Sequence, residues 1–250
     1  MNEVLRVEQR EATVELTLNR PRARNALSRE LIARLTDEMR RAGIAPDVRS
    51  VIVTGAPPAF CAGLDLREVA HTTADEAEHD ASALLTLLET IDQLHKPIIA
   101  AVNGPAVAGG AGLISVCDLV ICGASAVVGY PEIKRGLVAA MVMTYLRRLV
   151  GERHAKYLLM TGESVSAERA VELGLATEAV SDDELMSRAR HYAQRFTEMP
   201  PEALAKTKAL LGRLRHLQHA DALEEARKLN ASMRLTSESR AGVASFLSKS

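Results

Sequence analysis

No stretch of the sequence approaches the roughly 20 consecutive apolar residues that a membrane-spanning helix needs, and no membrane association is expected. Neither sign of charge is in excess. The chain has 31 Lys and Arg against 32 Asp and Glu, a formal charge of −1, which gives no reason to expect nucleic-acid or membrane-surface binding. Cysteine is scarce too: Cys61, Cys117 and Cys122 are odd in number and lie in apolar surroundings. They read as reduced, mostly buried thiols of a cytoplasmic protein, not as a disulfide set or a metal site. The N-terminal MNEVLRVEQRE lacks the apolar core of a signal peptide. What the chain does have is a 47% hydrophobic fraction over 250 residues, enough for one large domain or a domain with an appendage.

The pattern along the chain alternates between strand and helix. Ala12 to Leu18 reads as a half-buried strand, paired with Val4–Val7 as a hairpin. Ser28 is an N-cap candidate for a helix carrying Leu31, Ile32, Leu35 and Met39 on one face, with Gly43 as its stop. Val51 to Thr54 is a short buried strand. Arg67 to Asp80, with His71 and His79, reads as a mobile solvated loop, because its acids and histidines show no compact ligand spacing. A helix over about 81–94 presents Leu84, Leu85, Leu88 and Ile91 to the core. Further strands are predicted at 98–102, 119–122, 126–129 and 176–180. Helices are predicted over 139–150, 152–160 and, capped by Ser166, through Leu173 with Gly174 beyond it. After Ser181 the pattern is helical only, at about 183–197, 201–215, 219–233 and 237–248.

That divides the chain into an α/β core, 1–195, and a helical region, 196–250. The helical region is amphipathic, with Leu204, Leu210, Leu211, Leu214 and Leu217 on one side, and too small for its own core. It is expected to bury that face on the body or on another subunit.

Two loops carry the chemical interest. Ile98 to Asp118 runs from an apolar strand through Asn103-Gly104-Pro105 to Gly109, Gly110 and Gly112 at a helix start. The first N–H groups of a helix have no internal partner, and glycine lets a ligand approach them. The same small residues also suit plain strand–helix packing, and by themselves they leave both readings open. The second loop, Ala59-Phe60-Cys61-Ala62-Gly63-Leu64-Asp65-Leu66, follows the strand at 51–54. On its own it reads equally as an ordinary turn.

Together, AFCAGLDL and NGPAVAGGAGL, in that order and spacing, resemble the crotonase (enoyl-CoA hydratase/isomerase) superfamily. Asn19-Arg20-Pro21 with Asn25-Ala26-Leu27, Lys96 to Gly104, Pro131-Glu132 and Ala170 to Ala176 extend the resemblance over nearly the whole chain. It implies an α/β crotonase-like spiral of ββα units with a C-terminal helical oligomerisation region, usually a homotrimer or hexamer. It implies an acyl-CoA substrate, with coenzyme A entering as part of that substrate and no separate cofactor or metal.

The resemblance also assigns roles. A thioester enolate needs two donors at its oxygen, and fixed backbone N–H groups serve well. Here they would be those of Leu64 and Gly109. Family hydratases use two glutamates. The first position is Gly112 here, so that acid is absent, and the second is Glu132. Read alone, Glu132 is either a surface acid at a strand end or a buried functional carboxylate. Arg24, Ala62, Asp65 and Leu66 are expected beside the pantetheine and adenine and Arg67 near the phosphates, with Gly110 and Gly112 also bordering substrate. As plain residues, these arginines read equally as solvated surface groups. Many relatives carry a longer basic–aromatic tail than Ser245 to Ser250, so a weaker or differently covered CoA is expected.

A single base beside an oxyanion hole suits a proton shuttle, Δ3 to Δ2 enoyl-CoA isomerisation. Water addition is divided more naturally between two acids. Enoyl-CoA hydratase with an altered site is the alternative, with Tyr130 or Asp65 positioning water. A non-catalytic acyl-CoA binder is a second alternative. The dehalogenase branch of the family needs an aspartate where this chain has Ala140. The stretch Gly136 to Met143 departs from the family's glycine- and proline-rich pattern and reshapes the acyl pocket. A dinucleotide site ranks last, because no G-x-G-x-x-G follows the first strand.

Overall fold

The structure, a computed structural model, describes residues 3–248. The chain opens with a hairpin of β1 (Leu5–Arg10) and β2 (Thr13–Leu18). Ser28 caps α1 (Arg29–Ile44) by accepting a hydrogen bond from the Leu31 N–H at 3.2 Å, which satisfies one of the open donors of the first turn. Next come β3 (Ser50–Gly55), α2 (Leu66–Val69), α3 (Ala74–Gln93), β4 (Ile98–Val102) and β5 (Ala106–Val107). Then follow α4 (Gly109–Ser115), β6 (Leu119–Gly123) and β7 (Val127–Gly129). In α5 (Ala140–Thr161) two helices meet at Gly151, whose φ of 73° and ψ of 168° break the helical path where the sequence places its end. The chain continues through β8 (Ser164–Ser166), α6 (Ala167–Glu172), β9 (Glu178–Val180) and α7 (Leu185–Glu198). It closes with α8 (Pro201–Leu214), α9 (His219–Met233) and α10 (Ser237–Leu247).

The main sheet runs β1-β2-β3-β4-β6-β9, parallel throughout except for the hairpin. Parallel neighbours need crossovers, and α1, α3 and α4 supply them on one side of the sheet. Ile52, Ile99, Ala101 and Ile121 face the other side, where Leu185, Ala189 and Ala193 of α7 cover them. A smaller sheet, β5-β7-β8, is built from the segments after β4 and β6. The loops that leave the carboxyl ends of β3 and β4 therefore emerge side by side, the place where open α/β sheets bind ligands.

Four expectations change. The outward face of β2 is not solvated: Glu15 is buried, and Arg190 of α7 grips both its oxygens at 2.7 and 2.8 Å. The stretch Arg67–Asp80 is not a loop. It forms α2 and the first turns of α3, whose start is a capping box between Thr73 and Glu76. Among the described residues, no group of His, Cys, Asp and Glu is placed to hold a metal ion. In α3 Leu87, fully buried, takes the core position assigned to Leu85, which is 42% exposed. Gly43 lies inside the last turn of α1 and does not end it.

Helices α8, α9 and α10 carry no buried residue. Lys208 of α8 reaches the body, donating to Asp118 at 2.6 Å and to the Lys96 carbonyl at 3.1 Å. Leu211, Leu217, Leu223, Leu235, Val243 and Leu247 stay exposed. No helix among the described residues is long and apolar enough to cross a membrane.

Candidate active site

The two loops singled out in the sequence meet. Cys61 N–H donates to the Pro105 carbonyl at 3.1 Å, and Val107 N–H returns to the Cys61 carbonyl at 3.0 Å, a short parallel bridge. Gly110 sits where the backbones touch: a Cβ there would lie 2.2 Å from the Cys61 oxygen, so only glycine fits.

A second bridge aims Leu64. Leu27 N–H donates to Gly63 O at 2.8 Å, and Asp65 N–H donates to Leu27 O at 3.0 Å. In such a bridge the intervening residue turns its own N–H away, and Leu64 N has no acceptor among the described residues. Gly63 makes this turn possible, with a φ of +88° that side-chain-bearing residues rarely adopt.

Gly109 is the first residue of α4, so its N–H has no partner within the helix. It has none elsewhere among the described residues either. The residue before it, Ala108, has φ 53° and ψ −125°, a sparsely populated conformation for a non-glycine residue, which orients the Ala108–Gly109 peptide. Strain of this kind costs on the order of 1–3 kcal/mol and collects at functional sites. A Cβ built on Gly109 would stand 3.6 Å from Leu64 N, which makes the two open donors neighbours.

Both face a cavity of about 1000 Å³. Of the residues expected to serve the site, Leu64, Gly109, Glu132, Arg24, Ala62, Asp65, Leu66 and Arg67 all line it. Gly110 and Gly112 do not. They lie one layer behind the wall, against Cys61 and Val142.

Glu132 stands in a 3-10 turn, Pro131–Arg135, held by a hydrogen bond from Leu137 N–H to the Glu132 carbonyl at 3.1 Å. Its Oε2 is buried and has no hydrogen-bond partner among the described residues. Burial pushes its pKa up, against the weaker pull of its own backbone N–H and of Arg135. A raised pKa is the condition of a carboxylate that exchanges protons near neutral pH. Glu132 as a whole is half-buried, with Oε2 turned inward.

Asp65 is engaged otherwise. Arg20 donates to its Oδ2 at 2.7 Å, and its Oδ1 accepts from Arg67 N–H at 3.1 Å, capping α2. Burial raises its pKa, but the Arg20 hydrogen bond and charge outweigh that and hold it below the ordinary carboxylate range. Tyr130 is 1% exposed and bonds Ser115 Oγ at 3.3 Å, away from the cavity wall. Asp65 is thus tied to Arg20 and the α2 N-terminus, and Tyr130 lies off the cavity wall. The three cysteines are pushed up to about 12 by burial and are inert as nucleophiles.

Sequence reasoning missed three arginines of the wall, and placed its apolar stretch at the acyl pocket without telling which residues border it. Arg20, Arg22 and Arg135 line the cavity beside Arg24 and Arg67. Apart from Arg20, none of these has a carboxylate within salt-bridge distance among the described residues. The wall also holds an unbroken run, Leu137 to Val142, with no polar side chain. That composition was visible in the sequence, but not that every residue of it faces the site.

Comparison with known proteins points one way. The family profile of enoyl-CoA hydratase/isomerase matches residues 8–250. A Thermus thermophilus protein, provisionally named an enoyl-CoA hydratase, is 39% identical over 235 residues, 93% of this chain and 93% of that one. The 2,3-dehydroadipyl-CoA hydratase of Escherichia coli is 32% identical and covers 100% of this chain and 97% of its own length. The crystal structure of an enoyl-CoA hydratase from Mycobacterium smegmatis superposes with a TM-score of 0.96 at 32% identity, covering 99% of this chain and 97% of that one.

Proposed function

Because the chain belongs to the enoyl-CoA hydratase/isomerase family of enzymes, whose profile spans residues 8–250, we propose that this protein moves the double bond of an enoyl-CoA thioester from Δ3 to Δ2. The thioester oxygen lies against the N–H groups of Leu64 and Gly109. Glu132 takes a proton from C2 of a 3-enoyl-CoA, and the electron pair of that C–H bond delocalises into a dienolate. The two N–H groups stabilise the charge on oxygen, an effect on the order of 2.7–4 kcal/mol per donor. Glu132 then returns the proton to C4, and the double bond comes to lie between C2 and C3. No atom is gained or lost, and one carboxyl group does both transfers.

The observation that carries this reading is the inventory of acids on the cavity wall. Two carboxylates line it: Asp65 is bound to Arg20, whereas Glu132 has no ion-pair partner among the described residues and its buried Oε2 has no hydrogen bond. The names of the relatives favour a second reading, hydration of a 2-enoyl-CoA. That reaction is served better by a second group that orients water; Tyr130 lies off the wall and Asp65 is paired with Arg20. The arginines along the wall suit the phosphates of coenzyme A, with Arg24 and Arg67 as the binding pair. The exposed leucines of the 196–250 region suit burial between copies of this chain, as a homotrimer or hexamer. The inert thiols suit a reducing cytoplasm.

The deciding experiment is turnover of 3-enoyl-, 2-enoyl- and 3-hydroxyacyl-CoAs by the purified protein. Faster conversion of the 3-enoyl compound supports isomerisation, and faster hydration overturns it. Binding of acyl-CoA without turnover of any of the three would leave only a non-catalytic binder.

A further inference from the structure

Gly112 of α4 and Val142 of α5 pack against each other with no room to spare. A Cβ on Gly112 would lie 2.7 Å from Val142 Cγ2, closer than real methyl contacts come. Both residues are buried, but only Val142 reaches the cavity wall. Its isopropyl group therefore stands between residue 112 and the site. Valine is β-branched and holds essentially one χ1 rotamer within a helix, so it cannot swing aside at low cost. Val142 also ends the apolar run that begins at Leu137. A water molecule lodged there would find no side-chain polar partner in that run, whereas an ordered water takes about 2–4 polar partners of any kind.

We infer that Val142, seated on Gly112, is a specificity-determining residue: it keeps this wall of the cavity apolar and free of a second carboxylate, so that Glu132 works alone and proton return to carbon is favoured over water addition. The inference rests on the isomerase reading above and deepens it. It also narrows the substrate to an acyl group without polar substituents along this wall, since a hydroxyl or carboxylate there would be left without a partner. Gly112 is not simply a lost acid. Its place has been closed by a neighbour, so restoring the acid requires two changes.

The test uses the full chain in four forms: wild type, Val142→Ala, Gly112→Glu and the double variant. Thermal unfolding is read first. Gly112→Glu overpacks the contact and is expected to lower Tm by about 2–12 °C. Val142→Ala lowers Tm in the wild-type background by opening a cavity, but raises it in the Gly112→Glu background by making room. Hydration of a 2-enoyl-CoA is expected to rise at least about 10²-fold in the double variant over wild type, the low end of a general acid–base contribution, while isomerisation falls. Gly112→Ala with and without Val142→Ala gives the same Tm comparison with a smaller side chain if the glutamate variant does not fold.

If Val142→Ala lowers Tm equally in both backgrounds, the two residues do not compete for space and the inference is overturned. If the double variant recovers Tm without gaining hydration, Val142 is a packing residue only, and the specificity role is overturned. Faster hydration than isomerisation by the wild-type protein would instead overturn the functional reading, and the Tm comparison would still report the contact.

Discussion

The methyl group of Ala108 occupies the space a side chain on Gly63 would need: a Cβ on Gly63 would lie 2.7 Å from Ala108 Cβ and 3.0 Å from Gly109 N. One methyl thus spaces the loops that carry the two open N–H groups. The spacing is held by a left-handed glycine on one side and a strained alanine on the other, with φ of 88° and 53°.

Gly63→Ala is expected to be costly for two reasons that add. A side chain at positive φ costs on the order of 1–2 kcal/mol and the forced contact about 1–3 more. Urea unfolding should show a loss of about 2–5 kcal/mol, and kcat should fall because Gly109 N is displaced. Ala108→Gly should be close to neutral in stability, within about 1 kcal/mol, since relief of strain offsets the extra freedom of the unfolded chain. A Gly63→Ala protein of wild-type stability would show that the loops are not in contact.

Glu132→Gln keeps the shape of the side chain but removes the base. Isomerase kcat is expected to fall by roughly 10²–10⁴, with acyl-CoA binding nearly unchanged. The pH dependence follows from burial. The base acts when ionised, so kcat/KM should rise with pH along an apparent pKa above the ordinary 4.5. Stability runs the other way. The folded-state pKa is raised, so this group's contribution is full below the unfolded value and lost as pH rises through the folded one. Glu132→Gln should therefore be more stable than wild type at neutral pH, with the difference vanishing in acid. A less stable variant at pH 7 would contradict the unpaired, buried state of this carboxylate.

Arg20 is expected to act on catalysis without touching the reacting atoms. It holds Asp65, the residue after Leu64, and it also donates to the Ala26 carbonyl. Removing a hydrogen bond to a charged group costs on the order of 1.5–3 kcal/mol. Arg20→Ala should lose about that much in urea unfolding and lower kcat more than it raises KM, because Leu64 N–H loses its fixed direction. An effect on KM alone would make Arg20 a substrate ligand.

Assembly is checked by light scattering. The exposed leucines of α8, α9 and α10 suit burial between copies, the resemblance implies a trimer or hexamer, and a chain cut after Met199 should give monomer or aggregate. The cut belongs there because Arg49 holds the Met199 carbonyl at 2.7 Å and ties the end of α7 to the body. A shortened chain that kept its native assembly would remove these helices from the interface.

Much of the fold was legible because its determinants are local. The buried strands at Val51–Thr54 and Ile98–Val102, the Ser28 and Ser166 caps and the break at Gly151 each depend on a few consecutive residues. Where the reading failed locally, the signal was still present. Thr73 and Glu76 have capping-box spacing, and Leu84, Leu87, Leu88 and Ile91 follow the helical period, which Leu85 does not.

By itself, the sequence determined most of the strands and helices, which two loops carry glycine, and that residue 112 has no carboxylate while residue 132 has one. The tertiary structure decided what those residues do. Arg190 neutralises Glu15, Arg20 takes Asp65 out of the acid inventory, and Val142 fills the space beside Gly112. Burial leaves Oε2 of Glu132 without a hydrogen-bond partner. Periodicity and capping report on neighbours a few residues apart. A carboxylate's protonation and a cavity's shape depend on groups that approach only when distant segments pack, which no local pattern encodes.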